Sequence, residues 1–141
     1  MNVLFVCTGN SARSIIAEAV FNSRARGRCE AFSAGSRPTG EVHPLAIETL
    51  NAAGYATSGL TSKSWDELSG DRAVPFDFVI TLCDSAAREA CPVWAGAPVT
   101  RHWGLADPAA IEGIDDRRRA FAEILLGIER QVEIFLKDEF K

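Results

Sequence analysis

The sequence predicts an α/β fold: a small four-stranded parallel sheet, strand order 2-1-3-4, with helices on both faces. Three observations lead there. Short apolar runs such as Val3–Val6 and Phe76–Leu82 alternate along the chain with segments of helical period. Strands that alternate with helices are joined by crossovers, which makes the sheet parallel and covers its faces. The chain has 141 residues, 47% of them hydrophobic and 24% charged, which suits one soluble domain with a substantial core, read here as 1–141.

Val3-Leu4-Phe5-Val6 is a buried first strand. Arg13 to about Arg26 is helical, with Ile16, Ala19, Val20 and Ser23 at helical spacing and Gly27 as its stop. Arg28–Ala34 alternates as a second strand and ends at Gly35, and Ser36-Arg37-Pro38-Thr39-Gly40 is a turn cluster. His43–Ala53 is a second helix, with Leu45, Ala46, Thr49, Leu50 and Ala53 on one face and Gly54 at its end. His43, before Pro44 at the entrance, reads as a surface or capping residue rather than a base. Thr57–Lys63 is a polar connection and Ser64–Leu68 a short helix. Phe76–Leu82, rich in β-branched and aromatic residues, is the third strand and ends at Cys83. Asp84–Ala90 has helical composition, broken by Cys91-Pro92, and 94–98 is loop. Val99–Trp103 is the fourth strand. Asp115 to about Lys137 is a long amphipathic helix, with Phe121, Ile124, Leu125, Ile128, Val132, Phe135 and Leu136 on its apolar face and Arg117-Arg118-Arg119 solvated near its start. Trp65, Trp94 and Trp103 read as packing residues.

Composition excludes several classes. A net charge of −4 argues against nucleic-acid binding. No apolar run approaches the ~20 residues of a membrane span, and no signal peptide precedes the first strand, so a cytoplasmic protein with reduced thiols is expected. Four cysteines (Cys7, Cys29, Cys83, Cys91) lack the C-x2-C spacing and the neighbouring histidines of a zinc site. They are packing or catalytic residues. No metal and no bound cofactor is expected, and nothing demands more than a monomer.

The chemistry gathers at Cys7-Thr8-Gly9-Asn10-Ser11-Ala12-Arg13-Ser14, between the first strand and the first helix. A ring of backbone N–H groups with a helix N-terminus behind it receives a tetrahedral oxyanion. The same positive field favours the Cys7 thiolate. Arg13 offers a planar fork for two anion oxygens, Gly9 is expected to supply torsions that a side chain forbids, and the Ser14 hydroxyl is placed to donate to the thiolate. In a small flavodoxin-like sheet, ligands sit outside the carboxyl ends of the strands. There Cys7 closes strand 1, Ser33 and Ala34 close strand 2, Cys83 closes strand 3 and Asp107 follows strand 4. Asp107, before Pro108, is the candidate general acid for the leaving oxygen. His102, nearby, reads as a packing or hydrogen-bonding residue and Cys29 as packing.

The full string resembles the anion loop of the low-molecular-weight phosphotyrosine phosphatase superfamily, and within it the arsenate reductases, which carry C-T-G-N-S-x-R-S. The likeness extends to Val79-Ile80-Thr81-Leu82-Cys83, Cys91-Pro92-Val93-Trp94, His102-Trp103-Gly104 and Asp107-Pro108-Ala109. It implies arsenate as substrate and a three-cysteine relay. Cys7 attacks arsenate, Cys83 attacks the sulfur of the adduct, and Cys91 draws the disulfide to Cys83–Cys91 for an external donor, either thioredoxin or glutaredoxin with glutathione. Cys83 and Cys91 are eight positions apart, too far to bridge an intact helix, so 84–90 is expected to unwind on oxidation. Ile15 and Ala109 stand where phosphatases of the superfamily usually have a proline and an aromatic, which favours a small inorganic anion. A phosphatase on the same scaffold, needing only Cys7, Arg13 and Asp107, and a redox-sensing module are the alternatives. Some members bind potassium through an Asn, a Glu, a Ser and an Asp. Asn10, Glu18 and Ser33 match, but Lys63 stands at the Asp position, so no potassium requirement is expected.

Overall fold

The computed structural model describes residues 1–69, 75–83, 96 and 98–139. The sheet is built from β1 (Asn2–Val6), β2 (Glu30–Ala34), β3 (Phe78–Thr81) and β4 (Val99–His102), all parallel, in the order β2-β1-β3-β4. The expected strand order is the observed one. Val6 pairs with Ala34 and with Thr81, and Thr81 pairs with His102. The strands therefore end level, and Cys7, Gly35, Leu82 and Trp103 leave the same edge.

The helices are α1 (Arg13–Ala25), α2 (Pro44–Ala52) and α3 (Ile114–Glu139), with 3-10 turns at Trp65–Leu68 and Pro108–Ala110. α1, α2 and α3 pack on one another. An aromatic cluster joins α1 and α3 to the sheet: Phe21 meets Phe5 at 5.7 Å between centroids, and Phe135 meets Phe78 at 4.9 Å. Edge-to-face contacts of this kind add to area burial. On the other face of the sheet, Leu4, Val6 and Val79 are buried as well.

Boundaries differ from the sequence reading where local hydrogen bonds intervene. β2 starts at Glu30 because Arg26 adopts a left-handed conformation (φ 51°) and Arg28 N–H closes back on the Ala25 carbonyl at 3.0 Å. β3 runs from Phe78, and just before it Asp77 is joined to Asn2, its N–H donating to the Asn2 carbonyl at 2.9 Å and its carboxylate accepting from Asn2 N–H at 2.8 Å. Ser64 heads the first 3-10 turn with a full capping box to Glu67. His43 is the N-cap of α2, its Nδ1 accepting from Leu45 N–H at 3.1 Å. The helical segment expected at 84–90, the Cys91-Pro92 break and Trp94 lie outside the described residues.

Candidate functional site

α1 begins without a capping side chain. Ala12 holds the N-cap position, and no acidic residue lies in the first turn. The first-turn N–H groups are thus left for an external anion, with the positive end of the helix dipole behind them. Before them the chain turns through Cys7–Ala12. A cavity of about 600 Å³ opens on this turn. Cys7, Thr8, Gly9, Ser11, Ala12 and Arg13 line one side. Cys83 and Asp107 line it from the ends of the third and fourth strands, with Thr39, Leu105, Ala106 and Ala109 completing the wall. Residues separated by a hundred positions are brought together because the strands end level.

Asn10 and Ser14 belong to the same loop, but they are fully buried behind it. Their bonds lead to Cys7. Lys63 N–H donates to Asn10 Oδ1 at 2.8 Å, so the amide nitrogen of Asn10 faces Ser14 and donates to its Oγ at 2.8 Å. Ser14 Oγ also lies 2.9 Å from Cys7 Sγ, within hydrogen-bond reach in either direction. A hydroxyl thus stands beside a sulfur only 3% exposed, placed to donate to it when it reacts as a nucleophile.

The expectation that Gly9 takes a forbidden torsion is corrected. The left-handed residue of the loop is Asn10, at φ 44°, and a Cβ built on Gly9 would meet Thr39 Cγ2 at an ordinary 3.5 Å. Asparagine visits this region more readily than other side chains because its amide bonds locally. The glycine that matters is Gly35, where a Cβ would lie 2.4 Å from the Thr8 carbonyl oxygen and 2.7 Å from that of Cys7. Gly35 follows β2, and the turn signal after Ala34 was its only mark in the sequence.

Two further contacts were not legible in advance. Arg13 donates from Nη1 to the Leu105 carbonyl at 2.8 Å, which ties the anion-gripping fork to the loop carrying Asp107. Thr8 Oγ1 lies 3.6 Å from Cys83 Sγ, a thiol 6% exposed. Asp107 caps the second 3-10 turn, Oδ1 accepting from Ala109 N–H at 3.0 Å, and its second oxygen makes no hydrogen bond among the described residues. His102 Nδ1 pairs with Thr81 Oγ1 at 2.7 Å. Cys7 and Cys29 are free thiols. Cys29 is buried at the opposite end of the sheet, where burial pushes its thiol up. Cys91 lies outside the described residues.

Next to the loop, Lys63 Nζ donates to the Ser33 and Thr61 carbonyls at 3.0 and 2.9 Å, and its charge acts on Glu18. Glu18 accepts from Ser33 Oγ at 2.6 Å. Burial raises the Glu18 carboxyl above its ordinary 4.5, and the Ser33 bond and the Lys63 charge pull it part of the way back. An ammonium already stands among these oxygens, so the group does not fit a potassium ion. Among the described residues no cluster of three His, Cys, Asp or Glu gathers as for a metal, and no helix is long and apolar enough to cross a membrane.

The chain is similar to the arsenate reductase of Shouchella clausii, with 37% identity over 82% of this chain and 80% of that protein. A solved arsenate reductase in its phosphate-binding state matches with a TM-score of 0.79 and 28% identity, over 97% of both chains. A thioredoxin-dependent arsenate reductase of Corynebacterium glutamicum matches with a TM-score of 0.65 and 32% identity, over 94% of this chain and 62% of that one. The family model for low molecular weight phosphotyrosine protein phosphatase matches residues 2–140. That match spans nearly the whole chain, and the chain belongs to the low molecular weight phosphotyrosine protein phosphatase family.

Proposed function

We propose that this chain reduces arsenate to arsenite with electrons from its own cysteines, which an external thiol donor then restores. The observation that carries the reading is a second buried thiol, Cys83, lining the same cavity as Cys7 and touching the anion loop through Thr8. Hydrolysis of a phosphate ester has no use for it. A second thiol beside the nucleophile serves an oxyanion whose central atom accepts two electrons, as arsenic does and phosphorus does not.

Arg13 and the loop amides hold the arsenate oxygens. Cys7 thiolate attacks arsenic. One oxygen leaves as water with protons supplied through Asp107, and a thiolate–arsenate adduct remains. Cys83 thiolate attacks the Cys7 sulfur. The S–S bond forms as the S–As bond breaks, and its electron pair passes to arsenic, which leaves as arsenite. Cys91 thiolate attacks Cys83, frees Cys7 as a thiolate and leaves a Cys83–Cys91 disulfide. Two electrons from thioredoxin, or from glutaredoxin with glutathione, reopen it. The small side chain of Ala109 at the cavity wall supports an inorganic anion over an aryl ester.

The test is a single turnover. Reduced protein is mixed with arsenate and no donor, arsenite is assayed, and disulfides are mapped in quenched peptides. One arsenite per chain with a Cys83–Cys91 disulfide is expected. No arsenite, with every thiol still free, removes the reading and leaves the phosphatase.

A further inference from the structure

Three carbonyls of the anion loop are taken by one neighbouring segment. Arg37 N–H donates to the Thr8 carbonyl at 3.0 Å, Thr39 N–H to the Gly9 carbonyl at 3.0 Å, and His43 N–H to the Ser11 carbonyl at 2.8 Å. The Gly9 carbonyl has a second donor in Ser62 Oγ at 3.3 Å, which itself accepts from Gly40 N–H at 3.1 Å. At its start the segment is fixed by a parallel bridge between Gly35 and Ser64: Gly35 N–H donates to the Lys63 carbonyl at 3.0 Å and Trp65 N–H to the Gly35 carbonyl at 2.9 Å. At its end His43 is the N-cap of α2, its ring 4.9 Å from that of Phe121 on α3.

In a trans peptide the carbonyl and the following N–H point in opposite directions. A carbonyl held by the segment therefore turns the next N–H away from it. The Thr8, Gly9 and Ser11 carbonyls so fix the amides of Gly9, Asn10 and Ala12. We infer that Gly35–His43 is the positioning element of the anion loop, a strap that holds three peptide planes with N–H inward before any anion arrives. This rests on the reading of Cys7–Ser14 as an oxyanion site. A plane released from the strap can rotate and turn a carbonyl toward the anion, replacing attraction with repulsion. Donors already aimed at the developing charge cost no reorganisation during reaction. Gly35 is glycine because the strap must pass against the loop backbone. Its absent Cβ would stand 2.4 Å from the Thr8 oxygen, and a carbonyl of the main chain cannot swing aside as a side chain does.

The experiment compares reduced wild type with Gly35→Ala, Ser62→Ala and, as a stability control, Leu125→Ala, which removes a buried side chain of α3. Inorganic phosphate is the probe, its affinity measured by calorimetry, and the rate of Cys7 alkylation by iodoacetamide at pH 7 is the second readout. Gly35→Ala is expected to weaken phosphate binding by about tenfold or more and to slow alkylation. Ser62→Ala, which removes one of two donors to a single carbonyl, is expected to weaken binding by about threefold. Leu125→Ala is expected to melt at lower temperature with both readouts at the wild-type value. If Gly35→Ala fails to fold, Ser62→Ala decides. Folded Gly35→Ala and Ser62→Ala variants with wild-type affinity and alkylation rate overturn the positioning role alone. A wild type without phosphate affinity brings down the oxyanion reading itself.

Discussion

Replacing Ser14 by alanine removes one oxygen from a fully buried chain of hydrogen bonds, and the structure sets the size of the effect. Ser14 Oγ lies 2.9 Å from Cys7 Sγ and accepts from the Asn10 amide nitrogen at 2.8 Å. Hydrogen bonds to charged groups contribute about 1.5–3 kcal/mol, and each 1.36 kcal/mol is about tenfold in an equilibrium. Ser14→Ala should therefore slow the reaction of Cys7 as a nucleophile at pH 7 by about tenfold or more. The assay is the rate of Cys7 alkylation by iodoacetamide at pH 7, with the modified peptide quantified by mass spectrometry. The same change leaves the Asn10 amide nitrogen buried without an acceptor, at a cost of about 1–3 kcal/mol in stability, read as a lower melting temperature. A wild-type alkylation rate in the folded variant would refute the support that the Ser14 hydroxyl is argued to give Cys7.

The remaining predictions concern stability and ions. Gly127 sits inside α3, and a Cβ there would meet Leu105 Cδ2 at an ordinary 3.8 Å, so Gly127→Ala should stabilise by about 0.5–1 kcal/mol in denaturant unfolding; a loss of stability would show that α3 cannot take even this contact. Burial raises the Glu18 carboxyl above 4.5, so the fold favours its protonated form. That contribution is complete below the unfolded value and is lost as pH rises through the folded one. Glu18→Gln should accordingly melt above wild type at pH 7.5, with the difference closing toward pH 4, and an equal or lower melting temperature at pH 7.5 refutes the sign. Because Lys63 places an ammonium among the Ser33 and Thr61 carbonyls, arsenite formation should proceed equally in potassium and sodium at equal ionic strength, and clear activation by potassium would count against that assignment.

What the sequence determined by itself is everything that local pattern encodes. Apolar runs placed the strands to within two residues, the crossovers made the sheet parallel, its likeness to a small flavodoxin-like sheet supplied the order 2-1-3-4, and His43 before Pro44 was legible as a surface or capping residue. Cys7 and Arg13 were legible as candidates because both belong to one turn between a strand and a helix, and Asp107 through an Asp-Pro pair to which the family resemblance gives a role. What only the tertiary structure decided are contacts between segments far apart in the chain. Gly9 was the obvious glycine, yet Asn10 takes the left-handed conformation and Gly35 bears the steric constraint, since that constraint comes from the backbone of Cys7 and Thr8. The acceptor of Arg13 is a main-chain oxygen at Leu105, and the donors to the loop carbonyls are main-chain amides at 37, 39 and 43. Every non-proline residue carries the same amide and carbonyl, so side-chain chemistry leaves no mark of which ones will pair. The level ends of four parallel strands make that choice, by bringing these backbones within hydrogen-bond distance of one another.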